Sequence, residues 1–62
     1  MTSSEVRVLV ADDHAGFRAG LAALLATQPG LRLVGEARDG EEAVSRTLHL
    51  QPDVVLNGPG HA

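Results

Sequence analysis

A short run of apolar, mostly β-branched residues, Val6 to Ala11, constrains the fold of this 62-residue chain more than any other feature. Only Arg7 interrupts the run, and the pair Asp12-Asp13 stops it. Such a run is typical of a strand that is buried on both faces of a parallel sheet. A chain of this length buries only about 60% of the surface that it exposes when unfolded, so we expect one small, marginally stable domain.

The segment after the acidic pair has the apolar spacing of a helix. The residues that would form its buried stripe are Phe17, Leu21, Leu24 and Leu25. We expect Asp12 or Asp13 to cap its N-terminus and Pro29-Gly30 to end it. Residues 31–37 then predict a second strand, whose partial alternation indicates an edge position.

A second helix is predicted to begin at Asp39, with Glu42 completing a capping box. Its expected buried stripe is Ala43, Val44, Thr47 and Leu48. It must end near Gln51, because Pro52 follows, and residues 53–56 then predict a third, buried strand. The order β-α-β-α-β with short connections predicts an α/β fold with a parallel sheet.

Composition narrows the functional classes. The chain has five arginines, no lysine and eight carboxylates, for a net charge of −3. This balance argues against binding to nucleic acid or to an anionic membrane. No basic start or run of about 20 apolar residues is present, so we expect a cytoplasmic protein.

The acidic pair is the candidate metal site. Asp12 and Asp13 follow a buried strand, where ligands of open parallel sheets bind, and Mg²⁺ prefers such carboxylates. The alternative is that one aspartate caps the helix and the other is solvated. We expect His14 to be a first-turn helix residue rather than a ligand, His49 and the arginines to face solvent, and His61 to lie in the tail.

Three motifs resemble the receiver domain of response regulators, in the right order and spacing. The first is Val8–His14 with Arg18–Leu21 and Leu24-Leu25, the second is Val34–Ala37 with Asp39–Ala43, and the third is Gln51–Leu56. The chain is most similar to receivers attached to LuxR-type helix-turn-helix transcription regulators, and the resemblance covers residues 5–56. It implies a flavodoxin-like fold and a two-component phosphorelay in which a histidine kinase phosphorylates an aspartate after strand three. It also implies that Asp12 and Asp13 hold Mg²⁺.

The chain departs from this pattern at the phosphoacceptor. The expected position falls at Gly58, and the neighbouring Asn57 offers only an uncharged amide. The hydroxyl residue after strand four and the lysine after strand five are also missing. We therefore expect no phosphorylation at this site, weak Mg²⁺ binding and no enzymatic activity.

The expected organisation is a disordered N-terminus at 1–5, the N-terminal part of a receiver domain at 6–56 and an aberrant, turn-rich tail at 57–62. One choice of codons for residues 57–62, read from the second base, encodes Met-Asp-Leu-Gly-Met-Pro, which resembles the sequence that usually follows strand three in receiver domains. One extra base after the Leu56 codon would therefore explain the tail. The alternatives are a natural pseudo-receiver that competes for a histidine kinase or a partner receiver, and a free-standing Mg²⁺- or nucleotide-binding module. We also expect strand three to be an open edge that invites self-association.

Overall fold

The computed structural model describes residues 5–58 and has the predicted order of elements. These are β1 (Val6–Ala11), α1 (Ala15–Ala26), β2 (Leu31–Ala37), α2 (Gly40–Leu50) and β3 (Val54–Asn57). The strands form one parallel sheet in the order β2-β1-β3. The predicted α/β fold and the edge position of β2 are confirmed. Residues 1–4 of the predicted N-terminus and 59–62 of the predicted tail lie outside the described residues.

The central strand β1 carries the core. Leu9 and Val10 are fully buried, and Val8 is nearly so, as its apolar run predicts. On one face of the sheet, Val8 and Val10 pack with Leu25 of α1. Leu9 points to the opposite face, because side chains alternate along a strand. The sheet therefore has apolar contacts on both faces.

Gly35 lets the end of α2 approach the second face closely. The register between β1 and β2 skips one residue here, since Val8 pairs with Leu33 and Leu9 with Gly35. A Cβ atom on Gly35 would lie 2.6 Å from Cδ1 of Leu50, the last residue of α2. A larger residue would therefore require the side chain of Leu50 to move.

The predicted N-cap of α1 is wrong. His14 occupies that position, and its side chain makes no capping hydrogen bond. The carboxylate of Asp12 instead accepts the backbone N–H of His14 at 2.8 Å, so it orders the turn that precedes the helix. Asp13 follows the strand without capping the helix.

The predicted start of α2 is largely confirmed. Oδ1 of Asp39 accepts the backbone N–H of Glu42 at 2.8 Å. The reciprocal bond differs from a standard capping box, because Oε1 of Glu42 accepts the N–H of Arg38, one residue before the cap. The helix ends at Leu50, and Gln51 adopts a left-handed conformation.

Both predicted helical stripes are only partly buried. Val44 and Leu48 of α2 are 62% and 73% exposed, and Phe17 and Leu24 of α1 are 40% and 56% exposed. The predicted burial of β3 is also wrong, because Val54 is 39% exposed. The reason is the small sheet: β3 has four residues, and no element of residues 5–58 packs beyond it.

No helix in this part of the chain is long and apolar enough to cross a membrane.

Candidate metal centre

The pairing of the strands brings three chain segments together at one edge of the sheet. Ala11, the last residue of β1, pairs with Ala37 on one side and with Asn57 on the other. Beyond these pairs, the N–H of Asp12 donates to the carbonyl of Ala37 and the N–H of Gly58 donates to the carbonyl of Ala11, both at 2.9 Å. The chain passes from β1 to β2 on one side of β1 and then returns past β1 to form β3 on its other side. Open α/β sheets bind ligands at such a switch point, where the order of the strands reverses.

A cleft of about 330 Å³ opens at this edge. Its lining residues are Ala11, Asp12, Asp13, Arg38, Asp39, Gly40, Asn57 and Gly58. The structure therefore places both sequence-predicted site residues, Asp12 and Asp13, on one cleft together with position 58.

The two aspartates differ strongly in environment. The side chain of Asp12 is 1% exposed, whereas that of Asp13 is 57% exposed. A buried carboxylate keeps its charge only where hydrogen bonds or cations stabilise it. Oδ2 of Asp12 has such support from His14, which donates its backbone N–H. Asp13 remains open to solvent and to water-coordinated ions.

His14 lies against both carboxylates. Its Nδ1 atom is 3.1 Å from Oδ2 of Asp12 and 2.9 Å from Oδ1 of Asp13. The ligand atoms of these three residues all lie within 4.8 Å of one another, which is a spacing that a metal ion can bridge. His14 was not predicted at the site from the sequence, although its position directly after the acidic pair could have indicated it.

Arg18 is a second residue whose place the sequence did not predict. Its Nη1 donates to the carbonyl of Asp12 at 2.6 Å, and its Nε donates to Oε1 of Glu36 at 3.2 Å. The side chain is only 18% exposed, so the expectation that every arginine faces solvent is wrong here. Arg18 therefore joins α1 to the ends of β1 and β2 and fixes the backbone of Asp12.

Position 58 faces the buried carboxylate. A Cβ atom on Gly58 would lie 2.6 Å from Cγ of Asp12 and 2.8 Å from Cε2 of Phe17. A side chain at this position would thus be directed at the acidic pair and would require one of these neighbours to move. In this chain glycine leaves that space without a functional group.

The other histidines differ in their relation to the site. His49 is exposed in the last turn of α2, as predicted, and His61 lies outside the described residues. His49 does not line the cleft. Among the described residues, Asp12, Asp13 and His14 form a group whose possible ligand atoms lie close together, and two carboxylates with one imidazole fit a divalent cation.

The fold and the acidic pair at its switch point define a flavodoxin-like α/β domain with a candidate metal centre. The response regulator domain of Thermotoga maritima CheB has a matching structure, with a TM-score of 0.80 and 45% sequence identity. The match covers 82% of this chain and 38% of that one.

The sequences of curated relatives indicate the same class of protein. The transcriptional regulatory protein LiaR of Bacillus subtilis is 51% identical over 51 residues, and the response regulator GacA of Pseudomonas viridiflava is 49% identical over 51 residues. Each match covers 82% of this chain and 24% of the relative. A protein-glutamate methylesterase/protein-glutamine glutaminase of Thermotoga maritima is 46% identical over 55 residues, covering 89% of this chain and 16% of the relative.

The homologues of this chain are therefore response regulators, and its structure matches a response-regulator receiver domain. The flavodoxin-like fold implied by the sequence resemblance is confirmed. No protein-family model matches the chain. The chain spans about a quarter of the length of LiaR and GacA.

Proposed function

We propose that residues 6–56 are the N-terminal part of the receiver domain of a LuxR-type transcription regulator in a two-component phosphorelay. The observation that carries this proposal is the convergence of Asp12, Asp13 and position 58 on one cleft at the switch point. A phosphoryl group and its Mg²⁺ need carboxylates at one place on a rigid sheet, and the strand register supplies that place. The relatives named as regulators support the transcriptional role.

In the proposed site, Asp12 and Asp13 would hold Mg²⁺, and the bound ion would neutralise negative charge at this end of the sheet. Asp12 contributes from a buried, hydrogen-bonded position, and Asp13 from the open side of the cleft. Binding is weak, because Gly58 supplies no third carboxylate. Mg²⁺ retains several water ligands in such sites, and the cleft has room for them.

The chain itself is not phosphorylated at the family's position, because neither Gly58 nor the amide of Asn57 can form an acyl phosphate by that route. Intact-mass spectrometry after incubation with acetyl phosphate and Mg²⁺ tests this. The expected result is an unmodified chain. A phosphoryl adduct that peptide mapping locates to Asp12 or Asp13 would overturn the proposal that this site accepts no phosphoryl group.

A second candidate function follows from the same glycine. A receiver surface without an acceptor can occupy a histidine kinase or a partner receiver without taking its phosphoryl group. The chain would then act as a pseudo-receiver that competes for these partners. In a kinase assay with an intact receiver, this candidate requires that added chain slows phosphotransfer, and an unchanged rate would exclude it.

We also propose that the chain acts in the cytoplasm, has no enzymatic activity of its own and binds neither nucleic acid nor membranes. We further propose that it self-associates through β3, because β3 pairs only with β1 among residues 5–58. Its other edge leaves backbone N–H and C=O groups available to another strand.

A further inference from the structure

We propose that Arg18 is a positioning residue for the acidic pair: it holds the peptide group between Asp12 and Asp13 and thereby raises the affinity of the pair for Mg²⁺, although its own charge repels a cation. The inference rests on the proposed function, because that function places Mg²⁺ at the acidic pair. It adds a residue that does not line the cleft and that acts on the ion only through the backbone.

The side chain of Arg18 is itself held in place. The residue lies near the start of α1, where its backbone N–H donates to the carbonyl of His14 at 3.0 Å. Its largely buried guanidinium group joins two acceptors, the carbonyl of Asp12 at 2.6 Å and Oε1 of Glu36 at 3.2 Å. A guanidinium group presents its donors in a rigid, planar fork, so the bond to Asp12 has a defined direction.

The carbonyl that accepts from Arg18 belongs to the peptide group that joins the two aspartates. On the other side of the same residue, the N–H of Asp12 donates to the carbonyl of Ala37 at 2.9 Å. Both peptide groups that flank the Cα atom of Asp12 are therefore held, one by β2 and the other by Arg18. Because a peptide group is planar, the bond from Arg18 also sets the position from which the side chain of Asp13 extends.

Asp13 needs this support more than Asp12 does. The carboxylate of Asp12 is buried and accepts the backbone N–H of His14, whereas the side chain of Asp13 is 57% exposed. A carboxylate that is placed before the ion arrives loses less conformational entropy on binding. The bond from Arg18 to the backbone therefore favours the metal-bound state.

The two effects of Arg18 on a bound cation have opposite signs. Its positive charge repels Mg²⁺, so the loss of this charge alone would tighten binding. The loss of the bond to the carbonyl of Asp12 would weaken binding. We expect the second effect to be larger, because the carboxylate of Glu36 pairs with the guanidinium group and offsets its field. Arg38 lines the cleft and is the control for the effect of charge alone.

Chemical-shift titrations of the ¹⁵N-labelled 62-residue chain with Mg²⁺ test the inference on the wild type, Arg18→Met, Arg18→Lys and Arg38→Met. Arg18→Met should weaken Mg²⁺ binding about tenfold, as the loss of a group that orients a metal ligand does. Arg18→Lys should weaken it less, because lysine keeps the charge but not the fork that joins both acceptors. Arg38→Met should bind Mg²⁺ as tightly as the wild type or more tightly. Without Mg²⁺, the amide resonance of Asp13 should move in Arg18→Met and that of Leu9 should not.

The outcomes separate this inference from the proposed function. If Arg18→Met binds Mg²⁺ as tightly as the wild type or more tightly, the positioning role is overturned and the acidic-pair site stands. If Mg²⁺ binding by the wild type does not depend on Asp13, the proposed metal site fails and the inference fails with it. Far-UV circular dichroism shows whether each variant keeps its helices. Where Arg18→Met does not, Arg18→Lys decides, and an affinity equal to that of the wild type overturns the inference.

Discussion

Gly58 faces Asp12 across the end of the sheet: a Cβ atom on Gly58 would lie 2.6 Å from the carboxyl carbon of Asp12. The backbone bond from Gly58 to Ala11 fixes this relationship. The residue at position 58 therefore decides whether the cleft has a third side chain beside the acidic pair.

Gly58→Asp should tighten Mg²⁺ binding, because it adds a third carboxylate to the cleft. It should also lower stability without Mg²⁺, since the new side chain crowds Asp12 and Phe17 and repels Asp12. Calorimetric titration and thermal unfolding with and without Mg²⁺ measure both effects. Gly58→Asn is the matched control: it brings similar crowding without the charge. Equal Mg²⁺ affinity in the two variants would contradict the placement of position 58 at the site.

Leu9→Ala should remove a large share of the free energy of unfolding. Leu9 is fully buried in the central strand, and such a truncation costs about 2–5 kcal/mol. A domain of this size has a total free energy of unfolding of only about 3–9 kcal/mol. Urea unfolding followed by circular dichroism measures the change. Leu48→Ala, at a side chain that is 73% exposed, should change stability little. A comparable loss in both variants would show that the core is misassigned.

Asp39→Ala should destabilise α2 by about 1 kcal/mol, because it removes the acceptor for the N–H of Glu42. Asp39→Asn keeps an oxygen at that place and should retain most of the stability. Thermal unfolding of the two variants measures the difference. If they unfold at the same temperature, the cap contributes less than its geometry indicates.

Val54→Lys should reduce self-association, since a charged side chain on an edge strand opposes pairing with another chain. Val6→Lys is a close control: Val6 and Val54 are 38% and 39% exposed, and Val6 does not lie on the open edge. Sedimentation velocity over a range of concentrations gives the association state. An unchanged distribution in Val54→Lys would exclude the open edge of β3 as the interface.

The sequence predicts the elements well where local chemistry dominates. The apolar run of β1 predicts a strand buried on both faces, and Pro52 predicts the end of α2. It does less well where burial depends on neighbouring elements: Val44 and Leu48 have helical spacing, yet they are exposed because the sheet beside them is narrow. It also missed Arg18, since no local pattern shows that the end of β1 presents a carbonyl to the first turns of α1.

The most direct test of the account is whether Mg²⁺ binding depends on Asp13. Chemical-shift titration of the ¹⁵N-labelled chain should show saturable, weak binding with changes centred on Ala11, Asp12 and Gly58. Asp13→Asn should abolish it. Asp53→Asn, a matched loss of one carboxylate at the opposite end of the sheet, should leave it intact. If Asp13→Asn binds Mg²⁺ as the wild type does, or if both variants lose binding equally, the metal centre proposed at the acidic pair is contradicted.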